Sequence, residues 1–235
     1  MSWFLADSDL LSGFRCIAVD LPGHGRSEPW RGEKLSIHDI AEELDQVVAA
    51  LGIGKFALMG HSMGGMVAQQ YCLEHPHAIS CLFLCSTATR GDLLSETAFN
   101  LEETKAAITK DGIATALSMD PYAAFAPGYE GPLVRRYLEL ESGTDGETAV
   151  KCLDAMKDWE LDQSKATEYS GPTVILFGDK DRITASGFAL ELVRAYAHST
   201  VEIVPGSGHM LFLEKPQEFR KIVTKHMVAT AGPEE

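Results

Sequence analysis

The chain has 235 residues, 45% of them apolar, which suits one domain or a domain carrying an insert and is too apolar for a disordered chain. Its formal charge of −14, from 20 basic against 34 acidic side chains, argues against nucleic acid or an anionic membrane as partner, because both demand a basic surface. No apolar run reaches the ~18 residues of a membrane-spanning helix, and the first residues lack the basic start and long apolar stretch of a secretory signal. The five cysteines form no C-x-x-C pair and sit in apolar segments, which predicts reduced, buried thiols in a cytoplasmic protein.

In chain order, Phe14 to Val19 is a short apolar run ending at Asp20-Leu21-Pro22-Gly23-His24-Gly25, and reads as a buried strand leaving a sheet through a Gly/Pro loop. A helix starting at Ser36 or His38 places Ile37, Ile40, Leu44, Val47, Val48 and Leu51 at helical spacing, and Gly52 stops it. Phe56 to Met59 is the next strand. It enters Gly60-His61-Ser62-Met63-Gly64-Gly65, followed by a helix from Met66 to Leu73 that ends near His75-Pro76. Ile79 to Cys85 is another buried strand, on which Cys81 and Cys85 read as core packing rather than metal ligands. Thr173 to Phe177 is the fourth strand, introduced by Gly171-Pro172. Gly187 to Ala197 reads as helix and Val201 to Val204 as the fifth strand. Gln217 to Met227 is an amphipathic closing helix with Phe219, Ile222, Val223 and Met227 on one face, and Ala231 to Glu235 is a frayed tail.

Strands and helices alternate, and the strands are continuous apolar runs, as in a mostly parallel sheet covered by helices on both faces. Residues 89–165 break the alternation with helical periodicity, Pro121, Pro127 and Pro132. They read as a helical cap inserted in an α/β core formed by 1–88 and 166–235, over the carboxyl ends of the strands where such sheets bind ligands.

Strand, glycine-bounded turn and helix around Ser62 form the context of a nucleophile elbow. A Ser at the tip of so tight a turn has strained backbone, and neighbours with a Cβ would crowd it. Such a hydroxyl needs a base and a carboxylate to orient that base, drawn from the ends of other strands. Asp179 and Asp181 follow the fourth strand and His209 follows the fifth, so Ser62, Asp181, His209 occur in the chain order Ser, acid, His. Asp179 is the rival of Asp181. Ser62 as a simple helix N-cap is the bland alternative. His61 packs beneath the turn, and His24 lies in a loop that can approach substrate. Phe99, Met119, Phe125 and Met156 either line an apolar acyl pocket or pack the cap.

The motifs Asp20-Leu21-Pro22-Gly23-His24-Gly25-Arg26-Ser27, Gly60-His61-Ser62-Met63-Gly64, Gly178-Asp179-Lys180-Asp181 and Gly206-Ser207-Gly208-His209 together resemble the α/β-hydrolase fold superfamily, in the branch of small esterases, lipases and lactonases with a helical cap. That resemblance covers Phe14 to Met227. It implies Ser62 as nucleophile, His209 as base and then acid, Asp181 as orienting carboxylate, with Asp92 as an outside candidate, and the Met63 N–H as an oxyanion donor. It implies a small ester, thioester or lactone substrate and no metal or organic cofactor; His24 and Phe125 are the candidate substrate contacts read from the residues. A Ser in the elbow argues against the dehalogenase and epoxide hydrolase relatives, which place Asp there. Carbon–carbon bond hydrolysis and perhydrolase chemistry use the same triad, and a non-catalytic binding protein or an incomplete fragment are readings from other classes.

The departure from the family is N-terminal. Two or three strands normally precede the one at Phe14 to Val19, and the last of them leads into a His-Gly loop that supplies a second oxyanion N–H. Met1-Ser2-Trp3-Phe4 corresponds to the helix after that loop. Three outcomes are expected: the sheet closes up with Phe14 to Val19 beside the elbow strand, a second copy lends a segment in a swapped homodimer, or the numbering begins at an internal Met. A missing oxyanion donor predicts turnover lowered about 10²–10³-fold.

Overall fold

The computed structural model describes residues 13–96, 100–120, 122–131, 133–141, 143–184 and 186–231. Four strands, β1 (Phe56–His61), β2 (Ile79–Cys85), β3 (Thr173–Gly178) and β4 (Ser199–Val204), pair in parallel in the order β1-β2-β3-β4. Cys85 of β2 stands beside His61 of β1 and Leu176 of β3, and Gly178 of β3 beside Val204 of β4, so the carboxyl ends of the strands share one rim. The helices are α1 (Ile37–Ala50), α2 (Met63–Glu74), α3 (Leu101–Asp111), α4 (Ile113–Met119), α5 (Leu133–Glu141), α6 (Gly146–Asp158), α7 (Gln163–Ala166), α8 (Ala189–Ala195), α9 (Leu211–Glu214) and α10 (Pro216–Ala231).

The period of two along a strand divides the core. Leu82, Leu84, Ile175 and Phe177 enter one cluster with Ile37, Ile40 and Val48 of α1, Met66, Val67 and Tyr71 of α2 and Leu192 of α8. Cys81, Phe83, Cys85, Val174 and Leu176 enter the other, with Met210 to Leu213 and Phe219 and Val223 of α10. Both faces are covered, as parallel strands require. Burial raises the Cys81 and Cys85 thiols to about 12, so they pack as small apolar groups. Helix α1 starts where the sequence predicts. Ser36 Oγ accepts the Asp39 N–H at 3.1 Å and Asp39 accepts the Ser36 N–H at 2.7 Å, a reciprocal capping box. Leu51, placed in the apolar stripe by spacing, is exposed beyond the last turn.

Among the described residues, the stretch 89–165 carries helices α3 to α6 and no strand of the sheet. Its two ends are stitched together by an antiparallel bridge between Arg90 and Glu160, by Gly91 N–H on Trp159 O at 3.0 Å and by Leu161 N–H on Thr89 O at 2.7 Å.

One predicted strand is absent. Phe14 to Val19 forms no ladder, and its side chains are half-buried or exposed, Ile17 at 42%. An isolated apolar run becomes a strand only when another edge satisfies its N–H and C=O groups. Among the described residues β1 pairs with β2 alone, so the sheet has not closed up over β1. Most of β1 is half-buried, unlike the fully buried β3. Met1 to Phe4 and the last four residues of the tail lie outside the described residues.

Candidate active site

Ser62 sits between β1 and α2 with φ 54° and ψ −123°. A non-glycine residue there is strained by about 1–3 kcal/mol and persists only when its surroundings hold it. The clamps are visible: Ser62 N–H donates to Cys85 O at 3.0 Å, and Thr87 Oγ1 donates to Ser62 O at 2.8 Å. Ser86, at the end of β2, has φ 44° and is the other non-glycine residue of positive φ among the described residues. A Cβ at Gly60 would collide with the Gly64 carbonyl, so the turn needs glycine there, whereas Gly64 faces open space. The crowding expected around the elbow therefore applies to Gly60 and, against the Thr87 side chain, to Gly65, but not to Gly64. Ser62 makes no side-chain cap bond to α2, which removes the N-cap reading and leaves its hydroxyl at the positive end of a helix. Met63 is the first residue of that helix, where backbone N–H groups have no intrahelical partner.

Asp181 and His209 meet at the ends of β3 and β4. Asp181 Oδ2 accepts from His209 Nδ1 at 3.0 Å and from Thr184 Oγ1 at 2.7 Å, while Oδ1 accepts the N–H groups of Ile183 and Thr184 at 2.9 and 2.8 Å. Burial by itself raises a carboxyl. Here the His209 charge, its hydrogen bond and those from Thr184 outweigh it and hold Asp181 far below the usual range. An ionised carboxylate only accepts, so the proton of the neutral imidazole resides on Nδ1, and Nε2 keeps its lone pair. Thr184 Oγ1 also stands 3.2 Å from that Nδ1. Asp179 turns elsewhere: it accepts the Gly206 N–H at 2.6 Å and pairs with Lys180 at 3.3 Å, tying the acid loop to the histidine loop. Asp92 pairs with Arg90 at the surface.

His61 links elbow and base. Its Nε2 donates to the His209 carbonyl oxygen at 2.8 Å, and its ring lies 4.6 Å from the His209 ring and edge-on to Phe212 at 5.0 Å. Burial, and then the neighbouring His209, lower its pKa to about 3, so it is neutral. Among the described residues no hydrogen bond joins Ser62 Oγ to the His209 ring. Such contacts are often long without substrate and tighten in the complex.

The remaining candidates are placed differently. His24 Nδ1 donates to Pro22 O at 2.9 Å, and its loop is fastened to the start of α6 through Asp145 N–H on Gly23 O at 2.9 Å and Trp30 N–H on Thr148 Oγ1 at 3.1 Å. The His24 ring hydrogen-bonds within its own loop and not to Asp181 or His209. Phe125 is 1% exposed, stacked on Tyr129 at 5.2 Å and edge-on to Tyr137 at 5.5 Å, within the core cluster that includes Met210. Met156 is buried in the other cluster, Phe99 lies outside the described residues, and the Met119 side chain is likewise undescribed. Two residues escaped the sequence reading. Thr184 carried a faint signal, since Asp-x-x-Thr is a local side-chain-to-backbone turn pattern. Glu214, buried beside the histidine loop, carried none.

Comparison with known proteins agrees with this architecture. A family model described as alpha/beta hydrolase fold matches residues 2–216. The AB hydrolase superfamily protein YisY of Bacillus subtilis is 29% identical over 224 residues, covering 91% of this chain and 81% of that protein. Among solved structures, a thermophilic esterase from Thermogutta terrifontis superposes with TM-score 0.80 at 21% identity, over 90% of this chain and 78% of that one. The enol-lactonase from Burkholderia xenovorans superposes with TM-score 0.80 at 22% identity, over 89% and 79%. With the parallel sheet, the strained turn after β1 and the loops after β3 and β4 in the same chain order, the protein belongs to the α/β-hydrolase fold family.

Proposed function

We propose that the protein is a serine hydrolase that cleaves a carboxylic ester, thioester or lactone through an acyl-enzyme on Ser62. The observation that carries the reading is the buried Asp181–His209 hydrogen bond at the strand ends, which fixes the imidazole as a base whose proton is on Nδ1. Ser62 Oγ attacks the substrate carbonyl as His209 Nε2 takes its proton, and Asp181 stabilises the imidazolium. The oxyanion develops near the Met63 N–H, a donor in the first turn of α2 with no intrahelical partner. His209 then returns the proton to the leaving alcohol, thiol or lactone oxygen. It next takes a proton from water, whose oxygen attacks the acyl carbon, and passes that proton to Ser62 Oγ as the acyl–oxygen bond breaks and the acid leaves. This chemistry needs neither a metal nor an organic cofactor. The esterase and enol-lactonase among the structural relatives support this substrate class. Five free cysteines support a reducing, cytoplasmic compartment.

The test is Ser62→Ala assayed with p-nitrophenyl acyl esters and with a fluorophosphonate probe. Wild type hydrolyses and is labelled, and the variant keeps its fold but does neither. A wild type inert to both, or a variant with wild-type turnover, overturns the reading.

A further inference from the structure

Glu214 has no part in the reaction above, yet it is 8% exposed and closes the short helix α9 that follows His209. Its Oε1 accepts the Gly208 N–H at 2.9 Å, and its Oε2 accepts the Ala126 N–H at 2.8 Å. Gly208 immediately precedes His209, and Ala126 belongs to the helical insert. On the other side of His209, the Met210 N–H donates to Ala124 O at 3.1 Å. The backbone on both flanks of the histidine is therefore tied to the same stretch of the insert, once through Glu214 and once directly. A Cβ at Gly208 would collide with Phe125 and Ala126 backbone, so the approach is as close as two main chains permit.

A buried carboxylate is costly unless hydrogen-bonded, and this one spends each oxygen on a different loop. We propose that Glu214 is a positioning residue: it locks the main chain around His209 against the insert, so that the ring keeps Nδ1 on Asp181 and Nε2 toward Ser62. Glu214 touches no reacting atom and acts through Gly208. Burial pushes its carboxyl up, with the Asp181 charge adding to that, while the N–H groups of Ala126, Gly208 and Met210 pull it down. The nearness of Asp181 places Glu214 within the electrostatic reach of the pair it supports. The inference rests on His209 being the base of the proposed hydrolase.

The chemistry of the clamp dictates the variant. A glutamine has one acceptor oxygen and turns its amide N–H groups toward a backbone donor, so Glu214→Gln holds one loop and repels the other. In the full-length protein we expect kcat for a p-nitrophenyl acyl ester to fall about 10- to 100-fold, with KM changed less than about threefold, as for a small displacement of a catalytic group. The His209 Nδ1 proton should shift and broaden in the NMR spectrum. If Glu214→Gln does not fold, Glu214→Asp is measured in its place. It keeps the charge, is too short to reach both N–H groups, and should show the same split. A folded variant with lowered melting temperature but unchanged kcat and unchanged His209 resonance overturns the proposal and leaves Glu214 a brace of the fold. The NMR arm separates the two readings: an inert wild type whose His209 signal still moves in Glu214→Gln sinks the hydrolase and keeps the clamp.

Discussion

His61 and His209 are joined by a hydrogen bond from the Nε2 of one to the main-chain oxygen of the other at 2.8 Å. The residue before the strained serine thus anchors the residue that would serve as its base. Two loops at the ends of β1 and β4, separated by two intervening strands, are held in fixed relation by one side chain. The bond requires a neutral His61 with its proton on Nε2, the state that burial enforces.

That requirement makes the fold sensitive to acid. His61 has a pKa lowered to about 3, whereas the unfolded imidazole takes up a proton near its ordinary 6.5. Between those values the unfolded chain binds more protons, so stability falls as pH falls through the window. Asp181 adds a second loss lower down. Its carboxyl is depressed from an ordinary 3.8, so the stability it contributes is present above that value and is lost as pH falls below it. Urea midpoints should therefore drop between pH 7 and pH 4. In His61→Gln, which keeps a donor and removes the titration, the drop should be shallower. Identical slopes in the two proteins would exclude His61 as the source.

The two acids after β3 have separate jobs, and kinetics should part them. Asp181→Asn turns an amide toward the His209 Nδ1–H and favours the wrong tautomer, so kcat should fall about 10³–10⁴-fold. Asp179→Asn weakens the Gly206 bridge and the surface pair with Lys180, at a cost of about 1 kcal/mol in stability, and should leave kcat within about threefold. The reverse ranking in an ester assay would reassign the acid.

The elbow glycines are unequal. Gly60→Ala drives a methyl into the Gly64 carbonyl and should prevent the turn from closing, giving insoluble protein or a loss of more than about 3 kcal/mol. Gly64→Ala places its methyl in open space and should change stability by no more than about 0.5 kcal/mol. Chemical denaturation of both variants decides, and equal penalties would contradict the asymmetry.

Phe14 to Val19 forms no ladder, so its amides should exchange with solvent near the rate of an unstructured peptide. The amides of β2 and β3, buried at the centre of the sheet, should exchange only through global unfolding. Protection of residues 14–19 comparable to β2 would show that they are paired in solution.

Much of the fold is legible along the chain because it is local. Ser36 with Asp39, the spacing of Ile37 and Ile40, and the continuous apolar run Ile79–Cys85 each carry their own signal, and each becomes the predicted element. The run at Phe14 carries the same signal and fails, because a strand is a relation between two edges and periodicity describes only one of them. Asp179 rivals Asp181 when the residues are read without the family pattern, since two residues of difference are settled by which way the loop turns. Gly60 and Gly64 look alike in the motif and differ only in what stands over them.

Chemistry-bearing residue types, their order and the alternation that puts them after parallel strands are written into the covalent chain, since side-chain period and turn preference act over a few neighbours. Which acid faces His209, that His61 and Thr184 brace it, and that Glu214 joins its loop to the insert are decided by packing alone. Those partners lie on different elements, and only burial of the completed core brings their donors and acceptors within bonding distance.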